Sequence, residues 1–355
     1  MSRVRAQLVF ILVIASAAAA EGQGPAATSA TGTPPLVELV APAADAPLQA
    51  QPAQPPPPPP PRPRRRGSMV GYIEDPIIES KIRVRFDAAF ENTVPDRAEF
   101  FYAKCGCYRT DVSPGDPAFD PDAPGPGPGI ATDIDFRHLF ISGEYAFSPR
   151  FSAFGQLPFR WLQPQGFATA VRFPNEAGLE DIRAGIKAGL AATDEQSVTA
   201  QVRFFLPTGD ASEGLGTDHA TIEPALLYYQ RVNEIVAVES QFGVWLPIDG
   251  AAPVPTQDDG TFAGDVLFYG IGSSFAVHTT DQVRFAPVVE LVGWRVLNGF
   301  QTAGVSDASG TNIVNLKLGA RTVFTQGSLY VGYGFALTDQ SWYDDVLRFE
   351  YRFEF

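Results

Sequence analysis

The sequence predicts an all-β fold, a transmembrane antiparallel up-and-down β-barrel of about twelve strands carrying a disordered Pro-rich N-terminal arm. Three observations lead there. Apolar and polar residues alternate with period two, segment after segment, from about Ile82 to Phe355. The connections between these segments alternate short and long. Beyond the N-terminus, no stretch approaches the ~18 uninterrupted apolar residues that a spanning helix needs.

The N-terminal elements come first. Arg3 and Arg5 precede the apolar run Leu8 to Ile14, and Ala18-Ala19-Ala20 offers a small-residue cleavage site before Glu21. Residues 1–20 therefore read as a secretory signal. Residues 21–68 are rich in Ala, Pro and Gln, with an unbroken proline run from Pro55 to Pro61. That composition reads as a stiff, solvated periplasmic linker in polyproline II. The following Arg62, Arg64, Arg65 and Arg66 admit a second reading, a tether to an anionic polymer or the inner leaflet. Residues 69–355 are assigned to the barrel.

Charge separates the two parts. The chain carries a formal −14. Residues 1–68 hold six Arg against Glu21, Glu38 and Asp45, a net +3, which leaves −17 for the remainder. So acidic a body excludes nucleic acid as an expected partner. With two cysteines the fold is no disulfide scaffold.

The first barrel segment, Lys81 to Phe90, puts Ile82, Val84, Phe86, Ala88 and Phe90 on one face and Arg83, Arg85, Asp87 and Ala89 on the other. The last repeats the pattern with Leu347, Phe349, Tyr351, Phe353 and Phe355 against Arg348, Glu350 and Arg352. Ten more segments lie near 134–147, 151–162, 180–190, 197–207, 219–231, 235–247, 264–276, 282–295, 312–324 and 328–337. Most approach the ~9–11 residues with which a tilted strand crosses the hydrocarbon layer. The segment at 264–276 is the least regular, because Phe268 and Tyr269 fall on opposite faces. An even strand count places both ends of the barrel at the periplasmic side, where the short turns belong.

A soluble sandwich also alternates, but its polar face meets water outside. Here that face carries charges of both signs at mid-strand, which suits a wet lumen. Aromatic residues gather at strand ends on the apolar face, as in Tyr145 and Phe147 or Phe159 and Trp161, which suits interfacial girdles. On this reading the expected lumen-lining cations are Arg83, Arg85, Arg160, Arg183, Lys187, Arg203, Lys317, Arg321, Arg348 and Arg352. The expected lumen-lining acids are Asp87, Glu144, Asp181, Glu223, Glu239, Glu290 and Glu350. Such groups set the field a solute crosses, or they pair across strands and partly fill a narrow barrel.

Other chemistry is sparse. Cys105 and Cys107, in the longest outer connection, are candidates for a small disulfide. No soft ligands accompany them, so neither a metal nor a cofactor is expected. His138, His219 and His278 fall on separate segments and assemble no Ser–His pair, so no enzyme is expected. Thr208-Gly209-Asp210 reads as a turn closed by Pro207. Acidic outer connections, such as Asp210, Glu213 and Asp218, read as a solvated rim, with divalent cations bridging them to each other or to neighbouring lipopolysaccharide as the alternative.

Two resemblances add to this. The stretch from Arg348 to Phe355 resembles the terminal strand of bacterial outer-membrane proteins, which the barrel-assembly machinery reads; the resemblance assigns that signal to Phe349, Tyr351, Phe353 and Phe355. Gly178-Leu179-Glu180-Asp181-Ile182, followed by Phe204-Phe205-Leu206-Pro207-Thr208-Gly209-Asp210, resembles the outer-membrane transporter family named after the meta-pathway of phenol degradation. That resemblance implies a barrel and the passage of small, including aromatic, molecules, and it supplies no catalytic residue. The expected function is thus an outer-membrane channel for small solutes through a charged lumen. The alternatives are an envelope-anchoring barrel with a plugged lumen and, last, a lipid-active barrel enzyme.

Overall fold

The computed structural model describes residues 67–93, 131–167, 174–248, 263–301 and 306–355. The two cysteines and the arm up to Arg66 lie outside the described residues. Twelve strands form the wall: β1 Lys81–Asn92, β2 Ala131–Ser148, β3 Phe151–Phe167, β4 Ile182–Ala192, β5 Gln196–Leu206 and β6 Ala220–Arg231. The second half is β7 Val236–Ile248, β8 Val266–Phe275, β9 Arg284–Val296, β10 Asn312–Phe324, β11 Gly327–Ala336 and β12 Asp345–Glu354. Each pairs antiparallel with its chain neighbours, and β12 pairs with β1 from Lys81↔Glu354 to Phe90↔Asp345, so the sheet closes. Closure leaves no edge of unpaired amides, which lipid could not satisfy.

Local chemistry makes the short turns. The Ser148 hydroxyl accepts from the backbone N–H groups of Arg150 and Phe151, and the Asn233 side-chain oxygen from those of Ile235 and Val236. Thr193 and Thr280 do the same at two further turns. Side-chain oxygens that mimic a backbone acceptor are why Ser, Thr and Asn occupy these positions.

The period-two pattern sorts the faces. Ile82, Ile141, Ile186, Phe242 and Ile271 are exposed on the outside, as are Phe349, Tyr351, Phe353 and Phe355. Lys317, Arg321, Glu239 and Glu290 are fully buried inside. Apolar outside and charged within is the arrangement of a barrel whose outer solvent is lipid.

One expectation needs revision, and one irregular segment is found as the strand expected of it. The strands β2 and β3 outrun the predicted 134–147 and 151–162, pairing out to Ala131↔Phe167. Asp133, Gln163 and Pro164 interrupt the apolar alternation there, so the pattern faded before the pairing did. The irregular segment at 264–276 is strand β8, with Phe268 buried inside and Tyr269 outside, its hydroxyl donating to Asn312. Of the two readings of the inward charges, a wet lumen or cross-strand pairs that partly fill a narrow barrel, the described residues show the second, with side chains and chain packed inside.

Candidate functional site

The residues before β1 account for that packing. Gly67 to Ser80 form no regular structure and run inside the barrel as a strap. Ser68, Met69, Val70, Ile73, Asp75 and Ile78 are buried. The strap starts and ends at the same rim: the Arg284 guanidinium donates to Gly67 O, and Phe355 N–H donates to Ser80 O beside the start of β1. Between these points it reaches inward as far as Tyr72, which packs beside Tyr343 against a buried cluster of Ala89, Ile134, Phe136, Leu162, Leu215 and Val346.

A strap without strand partners must satisfy its amides elsewhere. The Glu290 carboxylate accepts the N–H groups of Gly71 (3.1 Å), Tyr72 (2.8 Å) and Ile73 (2.8 Å), together with the Tyr330 hydroxyl (3.1 Å). Glu239 accepts Met69 N–H and Gln241 accepts Glu74 N–H. The strap's carbonyls go to cations. Arg321 donates to Met69 O and Val70 O, Arg348 to Gly71 O, and Lys187 to Asp75 O. Thr199 donates to Pro76 O at 2.6 Å. Apolar contact adds to this, with Met69, Val70 and Ile73 packed on Ala286, Val288, Val292 and Tyr330.

The strap's own acids are ion-paired. Glu74 bridges Arg203 (2.7 Å) and Arg83 (3.6 Å), and Asp75 bridges Lys81 (2.6 Å) and Arg352 (2.9 Å). Burial alone would raise both carboxyls. For Glu74 the cations Arg203 and Arg83, and for Asp75 Lys81 and Arg352, overcome that and hold each well below the usual carboxylate range.

Most of the predicted lumen residues form cross-strand pairs within this packing. Arg348 grips Asp87, and Arg85 stands 3.4 Å from the same carboxylate. Glu144 pairs with Lys187 (2.9 Å), Arg203 with Glu223 (3.3 Å), and Arg321 with Glu350 (2.7 Å). Arg160 and Arg183 share Glu180, each at 2.8 Å. Lys317 donates to the Tyr343 hydroxyl. Asp181 is placed differently from the wall residues: it precedes β4 at the outer end, and its carboxylate accepts the N–H groups of Thr208, Gly209 and Thr217. The two stretches that carry the family resemblance thus meet in one clasp. That clasp folds the outer connection inward, where Gly214 O accepts from Arg160 and Leu215 joins the buried cluster. Nearby, Trp342 is buried, stacks on Trp245 (5.4 Å) and lies tilted against Trp294 (5.0 Å).

Sequence reasoning missed the strap, Lys81, Glu180 and Tyr330. One signal was available for the strap. Met69, Val70, Tyr72, Ile73, Ile77 and Ile78 are apolar without strand periodicity, and an apolar segment next to a barrel start needs somewhere dry to go. No cluster of His, Cys, Asp and Glu that could hold a metal occurs among the described residues.

No family model and no curated protein matches the chain. Solved structures do resemble it. An outer-membrane channel from Pseudomonas putida F1 has a TM-score of 0.47 at 15% identity, over 78% of this chain and 96% of that one. The β domain of the Bordetella autotransporter BrkA has a TM-score of 0.45 at 12% identity, over 78% and 100%. The porin NanC has a TM-score of 0.41 at 7% identity, over 78% and 100%. Likeness at this level says nothing about solute or partner.

Proposed function

We propose that this chain is a barrel of the bacterial outer membrane that passes small solutes along a narrow charged path, with residues 67–80 as its internal gate. The observation that carries this reading is how the strap is held. Its backbone N–H groups rest on Glu239 and Glu290, and its carbonyls on Arg321, Arg348 and Lys187. Water can replace each of those bonds, and a displaced strap would leave a wall of solvated charges of both signs. The exposed apolar belt supports a lipid environment, with lipopolysaccharide at the outer rim and the barrel-assembly machinery as the folding partner. Small organic solutes, including aromatic ones, follow only from the family resemblance at 178–182 and 204–210.

The apolar part of the strap favours a second reading, a sealed barrel that anchors the envelope. Planar-bilayer conductance and liposome swelling separate the two, using the mature chain and a variant lacking residues 67–80. The channel reading expects small, discrete conductance from the full chain and a several-fold larger one from the deletion. Silence from the full chain under all voltages, with no solute uptake, would sink it in favour of the sealed barrel.

A further inference from the structure

The strap is held in the manner of a bound peptide. Among the described residues it makes no backbone hydrogen bond to itself, so its amides and carbonyls turn to the wall. Met69 N–H ends on Glu239, the N–H groups of Gly71, Tyr72 and Ile73 on Glu290, and Glu74 N–H on Gln241. In the other direction, the carbonyls from Gly67 to Gly71 accept in turn from Arg284, Arg352, Arg321 and Arg348. Those of Asp75, Pro76 and Ile77 accept from Lys187, Thr199 and Lys81. A segment that only filled space could satisfy these groups on itself, by coiling as a helix. An uncoiled chain whose backbone is met by fixed side chains is how proteins bind peptides, with main-chain hydrogen bonds for affinity and side-chain pockets for specificity.

The side-chain contacts are selective. Position 71 has no room for a Cβ, because the Tyr330 ring stands there. The Tyr72 ring lies 3.9 Å from the Arg348 guanidinium and 4.7 Å from Lys317 Nζ. Glu74 meets Arg203 at 2.7 Å, and Asp75 meets Lys81 at 2.6 Å and Arg352 at 2.9 Å. The wall also has partners ready for these cations once the strap's acids leave. Arg203 keeps Glu223 (3.3 Å), Arg352 keeps Glu350 (3.3 Å), and Lys81 keeps Glu144 (3.6 Å). Emptying the bed therefore strands none of the three, which would otherwise make release very costly.

We infer that this bed is a peptide-binding site, that its ligands are short uncoiled peptides carrying glycine, an aromatic residue and an adjoining acidic pair, and that the strap is its resident occupant. The strap is tethered to β1 through Ser80 and competes at an effective concentration on the order of millimolar. A peptide from outside the chain binds when the strap is lifted, and it takes the strap's own bonds. Block of conduction by such a peptide rests on the channel reading; its binding does not.

The probe is a fluorescent synthetic peptide of residues 67–80, added to the full chain carrying Gly71→Val. That substitution drives the strap off Tyr330 and keeps the side chains of the wall. Anisotropy in detergent should show saturable binding, weaker by about tenfold or more for the unchanged full chain, whose strap occupies the site. A peptide with Glu74→Gln and Asp75→Asn should bind about tenfold more weakly, and a peptide with Gly71→Val should not bind. If Gly71→Val does not fold, the variant lacking residues 67–80 takes its place. No saturable binding, or equal binding of a scrambled peptide of the same composition, overturns the inference. Equal binding by the unchanged full chain overturns it as well, since the peptide would then sit elsewhere. Saturable, sequence-dependent binding to a barrel that never conducts removes the channel reading and upholds the site.

Discussion

Arg348 and Asp87, directly opposite in register on β12 and β1, form a two-pronged ion pair at 2.7 and 2.7 Å across the seam where the barrel closes. The same guanidinium donates to Gly71 O and lies 3.9 Å from the Tyr72 ring. One side chain thus ties the closing strands to the strap. Removing one member of a buried pair leaves an uncompensated charge, which costs roughly 3–5 kcal/mol. We expect Asp87→Asn to destabilise the refolded barrel by that order. Arg348→Met should cost stability and also loosen the strap. Urea titration of both variants in detergent checks the first effect, and protease cutting within 67–80 checks the second. Equal strap protection in the two variants would show that Arg348 does not hold the strap.

Glu290 is the strap's principal anchor, with three backbone N–H groups and one hydroxyl on a single carboxylate. Glu290→Ala leaves those donors without an acceptor, at roughly 1–3 kcal/mol for each one that stays buried. The strap can escape that penalty by leaving the lumen. We expect the variant to fold, to conduct several-fold more than the parent, and to become susceptible to protease in the strap. Unchanged conductance with a normal melting profile would show that the strap does not gate.

Much of the wall was legible because the membrane enforces its periodicity. Arg83, Arg85 and Asp87 alternate with Val84 and Phe86 for a reason that acts on each residue separately, lipid on one side and protein on the other. The same local rule cannot read the strap, whose partners lie far along the chain. Gly71 binds Glu290, 219 positions away, and Arg348, 277 positions away. Asp181 misled for a related reason. Its alternation fits a wall residue, but its partners Thr208 and Thr217 come from the next outer connection. Glu180 was quoted only as part of the resemblance, although it gathers Arg160 and Arg183.

Gly71 marks a close approach of strap and wall. A Cβ there would overlap the ring of Tyr330, which is itself fully buried and hemmed in by Gly319 and Gly332. The ring cannot retreat, so the strap must. We expect Gly71→Val to release the strap while the strand pairing persists. Circular dichroism should be unchanged, whereas conductance rises. Loss of the β signal would instead make the strap a requirement for folding.

Acid should not open the gate until it is strong. Glu74 and Asp75 lie below the ordinary carboxylate range when bound, by virtue of Arg203 and Lys81 acting against burial. In a released strap they titrate near ~4. Their contribution to strap binding is therefore complete above about pH 4 and is lost as the pH falls further toward the depressed bound values. Burial pushes Glu79, in the same strap, up to about 7, so its protonation holds the strap more firmly as the pH falls from 7 to 5. We expect conductance not to rise over that range and to rise only below the ordinary carboxylate range. A rise between pH 7 and 5 would assign gating to other groups.

The outer face offers the most direct test of orientation. Ile186 on β4 is 57% exposed, whereas its chain neighbour Lys187 is buried against Glu144. In water Ile186→Arg would be nearly neutral, because an exposed apolar residue is merely replaced by a charged one. Facing lipid near the midplane, the same change costs roughly 2–4 kcal/mol. We expect Ile186→Arg to lower folding yield and stability in lipid vesicles by that order. The control is Leu190→Arg, four residues on at the end of the same face, where the penalty falls to roughly 0–1 kcal/mol. Equal tolerance at the two positions would mean that Ile186 does not lie at lipid depth, and the membrane placement of β4 would have to be redrawn.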